Sequence, residues 1–383
     1  MLIPVEDARK KIDELKFPEV RTAYVDLFDA VGKISAEDVF SNVEIPLRDI
    51  SAMDGFAFNI RDLGKKMKIA GKLYPASKEI PRIKEGEAYY VTTGSPIPEG
   101  ANTVARIEGT KIEDEYIEVK ENVFEGKDIM KKGENVRKGE IIVRKGEIIK
   151  PYHLGVLSYQ KTIKLKVLDI NFAVFASGDE IIPIGEEGEG IPDSISPIII
   201  SLLKTFGKVS YLGVAKDNEE SVKEFVKKAL QYDFIISIGG SSMGEKDYIK
   251  KIVSYFGTLL FEGVSTNIIK RCGVGVIENK PFLILPGQIV SAVTSFHEHG
   301  LHLISRLLDA EVRKFSEAEL GEDIEVQHKM DSVYLLTEQS GKVFPLRWGV
   351  GLYNEINKAN MFTILKRGKI YRKGEKIIVQ RLL

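Results

Sequence analysis

The sequence predicts a multidomain chain of α/β plus β class, in which a mostly parallel α/β sheet is flanked by β-rich segments. Three observations carry this. At 383 residues the chain exceeds what one core normally organises. Residues 165–310 alternate strand and helix patterns strictly, which argues for a parallel sheet covered on both faces. Residues 43–150 and 311–383 instead carry short β-rich runs cut by Gly, Pro and charged turns.

Taken in order, Val5, Ala8, Ile12 and Leu15 recur at helical spacing and predict an amphipathic helix over 5–16. A second helix is expected near 22–34, ending at Gly32. "EAYYVTT", "NTVARIEG", "EYIEVKENV" and "GEIIVRKGEIIK" then read as strands of a small β domain, and KGE or similar pieces at 132–134, 138–140 and 145–147 as successive turns. In the alternating segment "LKVLDINFAVFAS" reads as one buried strand. The helix "SPIIISLLKTFG", the strand "KVSYLGVA", the helix "NEESVKEFVKKALQ" and the strand "DFIISIGG" follow. The helix "KDYIKKIVSYFG", the strand "PFLILPG" and the helix "VSAVTSFHEHGLHLISRLL" complete it. "FTILKRG" and "EKIIVQRL" predict a terminal β domain.

The totals exclude several function classes. Lys plus Arg is 55 against 56 for Asp plus Glu, a balance with no whole-protein pull toward nucleic acid or acidic membranes. No run of about 18 apolar residues is present, so no membrane span is expected. The charged N-terminal stretch lacks a signal segment, and a soluble, cytoplasmic protein is expected. A single cysteine, Cys272, excludes an intrachain disulfide and reads as a small core residue.

Ligands of open parallel sheets sit at the carboxyl ends of the strands, where backbone amides of the following helices point outward. Three loops fall there: "ASGDEIIPIG" with Asp179 and Glu180, "SIGGSSMGEKDY" with Glu245 and Asp247, and "LPGQIVSA". Gly239 and Gly240 allow backbone amides to approach a phosphate, and Ser241 and Ser242 add hydroxyl donors. Ordinary strand-to-helix turns also favour Gly, Ser and Asp, but three such loops with Asp217 ending a fourth strand favour a shared ligand site. Glu180, Asp217 and Asp247 would offer oxygen ligands suited to Mg²⁺ or another hard cation. His297, His299 and His302 cluster on one predicted helix, as a metal site or, the favoured reading, on an amphipathic surface helix. No Ser/His/Asp arrangement is legible, and no G-x-G-x-x-G follows the first strand of the α/β segment to suggest a nucleotide-dependent oxidoreductase. In "ISAMDGFAF", Asp54-Gly55 reads by itself as a turn that asks nothing of the carboxylate.

Six pieces in order change that reading: "SAMDGFA" (51–57), "TTGSPIPEGANTV" (92–104), "KGENVRKGE" (132–140), "SGDEI" (177–181), "GGSSMGEKDY" (239–248) and "LPGQIVSA" (285–292). By them the chain resembles, end to end, the MoeA/gephyrin-type family of molybdopterin molybdenumtransferases. The resemblance implies a MogA-like α/β domain (1–20 and 166–308) and an elongated linker or dimerisation domain (21–45 and 136–165). It further implies an inserted β domain (46–135) and a C-terminal β-barrel-like domain (309–383). It implies a homodimer that inserts molybdate, or tungstate, into adenylylated molybdopterin with Mg²⁺ and releases AMP. A MogA/MoaB-type adenylyltransferase is the implied partner.

The implied cleft residues are Asp54 and Thr93 of the inserted domain, Asn135, and the acids Glu180, Asp217 and Asp247, these three as metal ligands. Substrate would meet Gly239, Gly240, Ser241, Ser242, Lys270, Arg271, Pro286, Gly287 and Ser194. The chain departs from the family pattern in several places. The family's "GED" is Gly133-Glu134-Asn135, and a gapless count sets its "KPGKP" opposite Asn267-Ile268-Ile269-Lys270-Arg271. "DSN" is Asp193-Ser194-Ile195, "LPGNP" is Leu285-Pro286-Gly287-Gln288-Ile289, and "QGS" is Trp348-Gly349-Val350. These losses of charge, Gly and Pro leave open a second reading. In it the chain is a non-catalytic paralogue that binds a nucleotide, an oxyanion or a cofactor-assembly partner.

Overall fold

The computed structural model describes residues 2–240 and 248–383. The chain forms two compact units, one of Met1–Glu37, Lys145–Lys150 and Lys164–Leu383, the other of Asp38–Arg144 and Pro151–Ile163.

The first unit is built on a six-stranded sheet. Its strands lie in the order Lys208–Ala215, Asn171–Ser177, Phe234–Gly239, Lys280–Leu285, Gly273–Ile277, Thr258–Phe261. The first four run parallel, and a hairpin adds the last two antiparallel. The three central strands are buried along nearly their whole length, as a parallel sheet covered on both faces requires. Successive side chains divide between the faces. Phe172, Val174, Ile236, Leu283 and Leu285 pack with the helices Val5–Asp13, Ser196–Leu203 and Leu301–Leu308. Ala173, Phe175, Ile235, Phe282 and Ile284 pack with the helices Glu219–Ala229 and Tyr248–Phe256. The helix Glu219–Ala229 starts where its sequence says it should. The Asn218 side chain accepts the Ser221 amide at 2.9 Å, Glu219 and Glu220 occupy the first turn, and Lys227 and Lys228 the last.

The C-terminal stretch closes into a five-stranded barrel of Phe315–Leu320, Lys342–Pro345, Ser332–Gln339, Met361–Leu365 and Lys376–Arg381 around Leu320, Leu336, Val343 and Val379. The second unit centres on another six-stranded sheet. Its order is Thr103–Arg106, Gly55–Phe58, Glu87–Val91, Met67–Leu73, Tyr116–Val119, Thr110–Glu113. No helix among the described residues is long and apolar enough to cross a membrane.

Three local expectations are corrected. Residues 22–34 are not a helix. Thr22–Asp26 is a strand paired antiparallel with Lys164–Leu168, followed by a single 3₁₀ turn, Phe28–Ala30. Thr22, Tyr24 and Asp26 alternate with the partly buried Ala23 and Val25, a period of two that outweighs the helical spacing. "LKVLDINFAVFAS" is two strands, Lys164–Leu168 and Asn171–Ser177, in different sheets, and Asp169-Ile170 joins them.

The third correction concerns the histidine helix, which is not on the surface. Ile289–Ser295, a π-helical segment Phe296–Gly300 and Leu301–Leu308 form one continuous buried rod. His297, His299 and His302 are buried in it, as is Glu298. His297 Nδ1 lies 2.8 Å from the Val293 carbonyl and its Nε2 accepts the Leu383 amide, while His302 Nε2 lies 2.7 Å from Asp13. Neither His299 nitrogen has a partner among the described residues. The three rings do not share a metal site; among the described residues no group of three His, Cys, Asp or Glu is placed to hold an ion. Cys272 is a fully buried core residue, as expected, and burial pushes its thiol up to about 12.

Glu298 is tolerated in this rod because Arg9 meets it with two hydrogen bonds, 2.6 and 2.9 Å. Burial alone would raise the Glu298 carboxyl, but the Arg9 guanidinium holds it below the usual carboxylate range. Removing one member leaves the other charge buried and unpaired. Arg9→Met is therefore expected to cost about 3–5 kcal/mol, and Arg9→Met/Glu298→Met to recover most of that, read from urea unfolding curves.

Burial pushes His297 and His299 down to about 4. Their contribution is complete above the unfolded value of about 6.5 and is lost as pH falls toward 4, because only the unfolded chain then takes up the protons. Stability should fall by about 1.4 kcal/mol per pH unit for each of the two rings in that window. His299→Phe is expected to remove about one proton from the slope of urea stability against pH.

Candidate functional site

Four loops at the carboxyl ends of the parallel strands enclose a cleft of about 490 Å³ within the first unit. The strand ends crowd one another there. A side chain on Gly239 would sit 2.6 Å from the Ser177 carbonyl oxygen, and the residue adopts a left-handed φ of +84°. A Cβ at Gly287 would lie 3.6 Å from the Gly239 backbone. The strands thus end in bare backbone, and Gly239, Gly240, Pro286 and Gly287 line the cleft with little between a ligand and the main chain.

Its acids are held by amides. Asp217 donates its backbone N–H to Asp179 Oδ1 at 3.1 Å, and Asp179 donates its own to Asp217 Oδ2 at 3.4 Å. Ser177 Oγ adds a bond to Asp217 Oδ1 at 3.4 Å. The Asp217 carboxylate is thus oriented without a cation partner among the described residues. Glu180 lines the same wall, folded back over Gly178. Arg271 is the one Lys or Arg side chain lining the cleft among the described residues.

Opposite stands a polar wall that sequence reasoning left largely unread. Asp193 is buried, its Oδ1 accepting the Ser196 amide at 3.0 Å and its Oδ2 the Tyr211 hydroxyl at 2.9 Å. Burial, reinforced by this carboxylate, raises the Tyr211 phenol above its usual value. Ser194 Oγ shares a hydrogen bond with the Tyr353 hydroxyl, which brings the helix Tyr353–Lys358 to the cleft, and Gln288 completes the lining. Asp193, Gln288 and Tyr353 were missed as site residues. The available signal for Asp193 was its place three residues ahead of the helix start at Ser196; nothing local marks Tyr353.

Of the sequence-predicted residues, the cleft gathers Glu180, Asp217, Gly239, Gly240, Arg271, Pro286, Gly287 and Ser194. Ser241, Ser242 and Asp247 lie outside the described residues. Lys270 does not line the cleft; its carbonyl accepts the Val264 amide. The segment it belongs to is anchored inward, with Ile268 and Ile269 in the core and the Asn267 side chain accepting the Val333 amide at 2.8 Å. Glu180 and Asp217 are oxygen donors on one wall, a chemistry that fits a hard cation.

In the second unit Asp54 and Thr93 are joined. Asp54 Oδ1 accepts both the Thr93 amide at 2.7 Å and the Thr93 hydroxyl at 3.0 Å. Asp54-Gly55 is not a hairpin turn: Asp54 ends a bend and Gly55 opens the strand Gly55–Phe58. Gly55 is needed for close approach, since a Cβ there would fall 2.0 Å from the Ala105 carbonyl oxygen. The Thr93 loop is fastened by the Gly94 amide to the Ser51 carbonyl at 2.7 Å. Asn135 is exposed, its amide bonded to the Ile45 carbonyl at 2.9 Å.

Residues 3–160 match the model of the MoeA N-terminal region (domain I and II), and residues 173–306 that described as "Probable molybdopterin binding domain". The chain is 30% identical to the molybdopterin molybdenumtransferase of Haemophilus influenzae over 80% of its length and 78% of that protein's. It is 28% identical, over all of its length and 98% of the relative's, to a Methanocaldococcus jannaschii protein whose name places it in molybdopterin biosynthesis. The crystal structure of the molybdopterin biosynthesis MoeA protein of Pyrococcus horikoshii superposes over the whole of both chains with a TM-score of 0.85 at 26% identity. With the two family models covering most of its length, the full-length likeness in fold and the cleft at the sheet's carboxyl rim, the chain belongs to the MoeA family.

Proposed function

We propose that the protein works in molybdenum cofactor biosynthesis as a molybdopterin molybdenumtransferase. It would insert molybdate or tungstate into adenylylated molybdopterin and release AMP. The observation that carries this is the cleft itself. Among the described residues it combines bare strand ends at Gly239-Gly240 and Pro286-Gly287 with one cation, Arg271, and two amide-held or exposed acids, Asp217 and Glu180.

Each part has a use in that reaction. Backbone amides beside Gly239 and Gly287 and the Arg271 guanidinium bind phosphoanhydride oxygens. Asp217 and Glu180 are the acids fit to hold Mg²⁺, with Asp247 as the expected third ligand. A bound Mg²⁺ would offset the negative charge of the anhydride. Ser194 and Tyr353 supply hydroxyls for the polar edge of a ring. Asp54, held by Thr93, is proposed to serve the cleft of a partner copy in a cytoplasmic homodimer. An adenylyltransferase of the MogA/MoaB type would supply the substrate.

A second reading, a non-catalytic paralogue, draws on the segment Asn267–Arg271. Its isoleucines are core residues, which leaves Arg271 as the only residue of that segment lining the cleft.

AMP release from adenylylated molybdopterin decides between them, measured with molybdate and Mg²⁺ on the purified protein. Release is expected, with a fall of about 100-fold or more in kcat/KM for Asp217→Asn and for Asp54→Asn. Arg271→Ala is expected to raise KM about tenfold with a smaller effect on kcat, the mark of a ground-state phosphate contact. Absence of molybdate-dependent release by folded wild-type protein would favour the paralogue reading.

A further inference from the structure

The second unit holds a larger groove, of about 1060 Å³, on the sheet next to the Asp54–Thr93 pair. It exists because two strands part. Met67–Leu73 pairs with Glu87–Val91 from Lys68 to Leu73, with a bulge at Ala70, but with Tyr116–Val119 only at Met67 and Lys68, continued by one bond from the Ile69 amide to the Glu115 carbonyl.

Lys65, Lys66, Lys68, Arg106, Lys111, Lys120, Lys127, Lys131 and Lys132 of this unit sit in ion pairs. Three cations of the groove stand outside these pairs. Arg82 and Lys84 line it with no side-chain partner among the described residues, and Lys72 meets only the Tyr90 ring, 5.9 Å from its centroid. Three carboxylates, Glu87, Asp114 and Glu115, line it as well. Glu115 pairs with Lys68 at 3.5 Å, Glu87 accepts the Lys84 amide at 3.0 Å, and Asp114 sits in a left-handed turn.

Aromatic faces accompany the charges. Tyr90 is braced edge-on by Phe56, with ring centroids 5.6 Å apart, and Tyr89 lies across Gly71, where a Cβ would meet its ring at 2.7 Å. Tyr74 is 50% exposed on the rim. Unpaired cations beside fixed tyrosine faces suit a ligand that is both flat and anionic.

We propose that this groove is a binding site for a planar aromatic ring carrying a phosphate. Nucleoside monophosphates and pterin phosphates share that chemistry. The ring lies against Tyr74 and Tyr90, and Lys72, Arg82 and Lys84 take the phosphate. The site stands on the groove alone and needs no turnover at the other cleft.

The test is photolabelling of the full chain with 8-azido-AMP, followed by peptide mapping. Labelling within residues 68–92, competed by AMP, is expected. Arg82→Gln/Lys84→Gln and, separately, Tyr74→Ala should each cut that labelling about tenfold or more with an unchanged melting temperature, since these side chains hold no hydrogen bond or ion pair among the described residues. Stronger competition by pterin-6-carboxylate than by AMP would support the site and assign it to the pterin. Inorganic phosphate competing as well as AMP would overturn the role of the ring. Labelling confined to residues 176–195 and 271–288, no labelling, or labelling indifferent to the Gln variant would overturn the site. The assay contains no molybdate, so failure of the transferase reading leaves its outcome intact.

Discussion

The main cleft depends on how closely the ends of adjacent parallel strands approach. Ser177, Gly239 and Pro286-Gly287 end neighbouring strands, and the Ser177 carbonyl leaves no room for a side chain at 239. A parallel sheet sets its strands about 4.8 Å apart, so side chains at the rim would fill the space a ligand needs. Glycine keeps the backbone amides in reach. Every other cleft residue is arranged around that floor: Asp217 at the end of the next strand, Glu180 beyond Gly178, Ser194 and Tyr353 opposite.

The rod at 289–308 packs within the core on one face of the sheet, and its polar content has to be reconciled with burial. Each group is settled locally. Arg9 neutralises Glu298, Asp13 meets His302, and chain-terminal backbone meets His297. These partners come from the first helix and from Gln380 and Leu383, so the two ends of the chain are stitched to the same rod. The cost of burying these groups is specific to this packing, which is how polar contacts select one arrangement of otherwise interchangeable apolar helices. Burial first, and then the positive charge of Arg9, hold His299 below the usual imidazole range, against the pull of Glu298.

The departures from the family pattern fall unevenly on the cleft. Asn267–Arg271 has traded loop residues for core residues, and only Arg271 faces the ligand space. The acids Glu180 and Asp217 and the glycine floor remain. Among the described residues the cleft lining carries one guanidinium against these two acids, and under the proposed function a divalent cation on the acids would restore the balance for a polyanionic substrate.

By itself the sequence determined the elements whose signal is periodic and local. Strict alternation over 165–310 was enough for a parallel sheet with two covered faces, because continuous apolar runs such as "DFIISIGG" can be buried only there. The carboxyl-end rule then marked Glu180, Asp217, Gly239 and Gly287 without any contact being known. The histidine rod and the strand at 22–26 were misread, since surface and interior helices can share one pattern and a five-residue strand competes with a helical one. What only the tertiary structure decided are contacts between residues distant in sequence. Tyr353 reaches Ser194, Arg9 reaches Glu298, and Tyr90 joins Arg82 and Lys84 around one groove. Such contacts follow from how elements pack, and no local pattern of side chains encodes where a helix or strand will be placed against another.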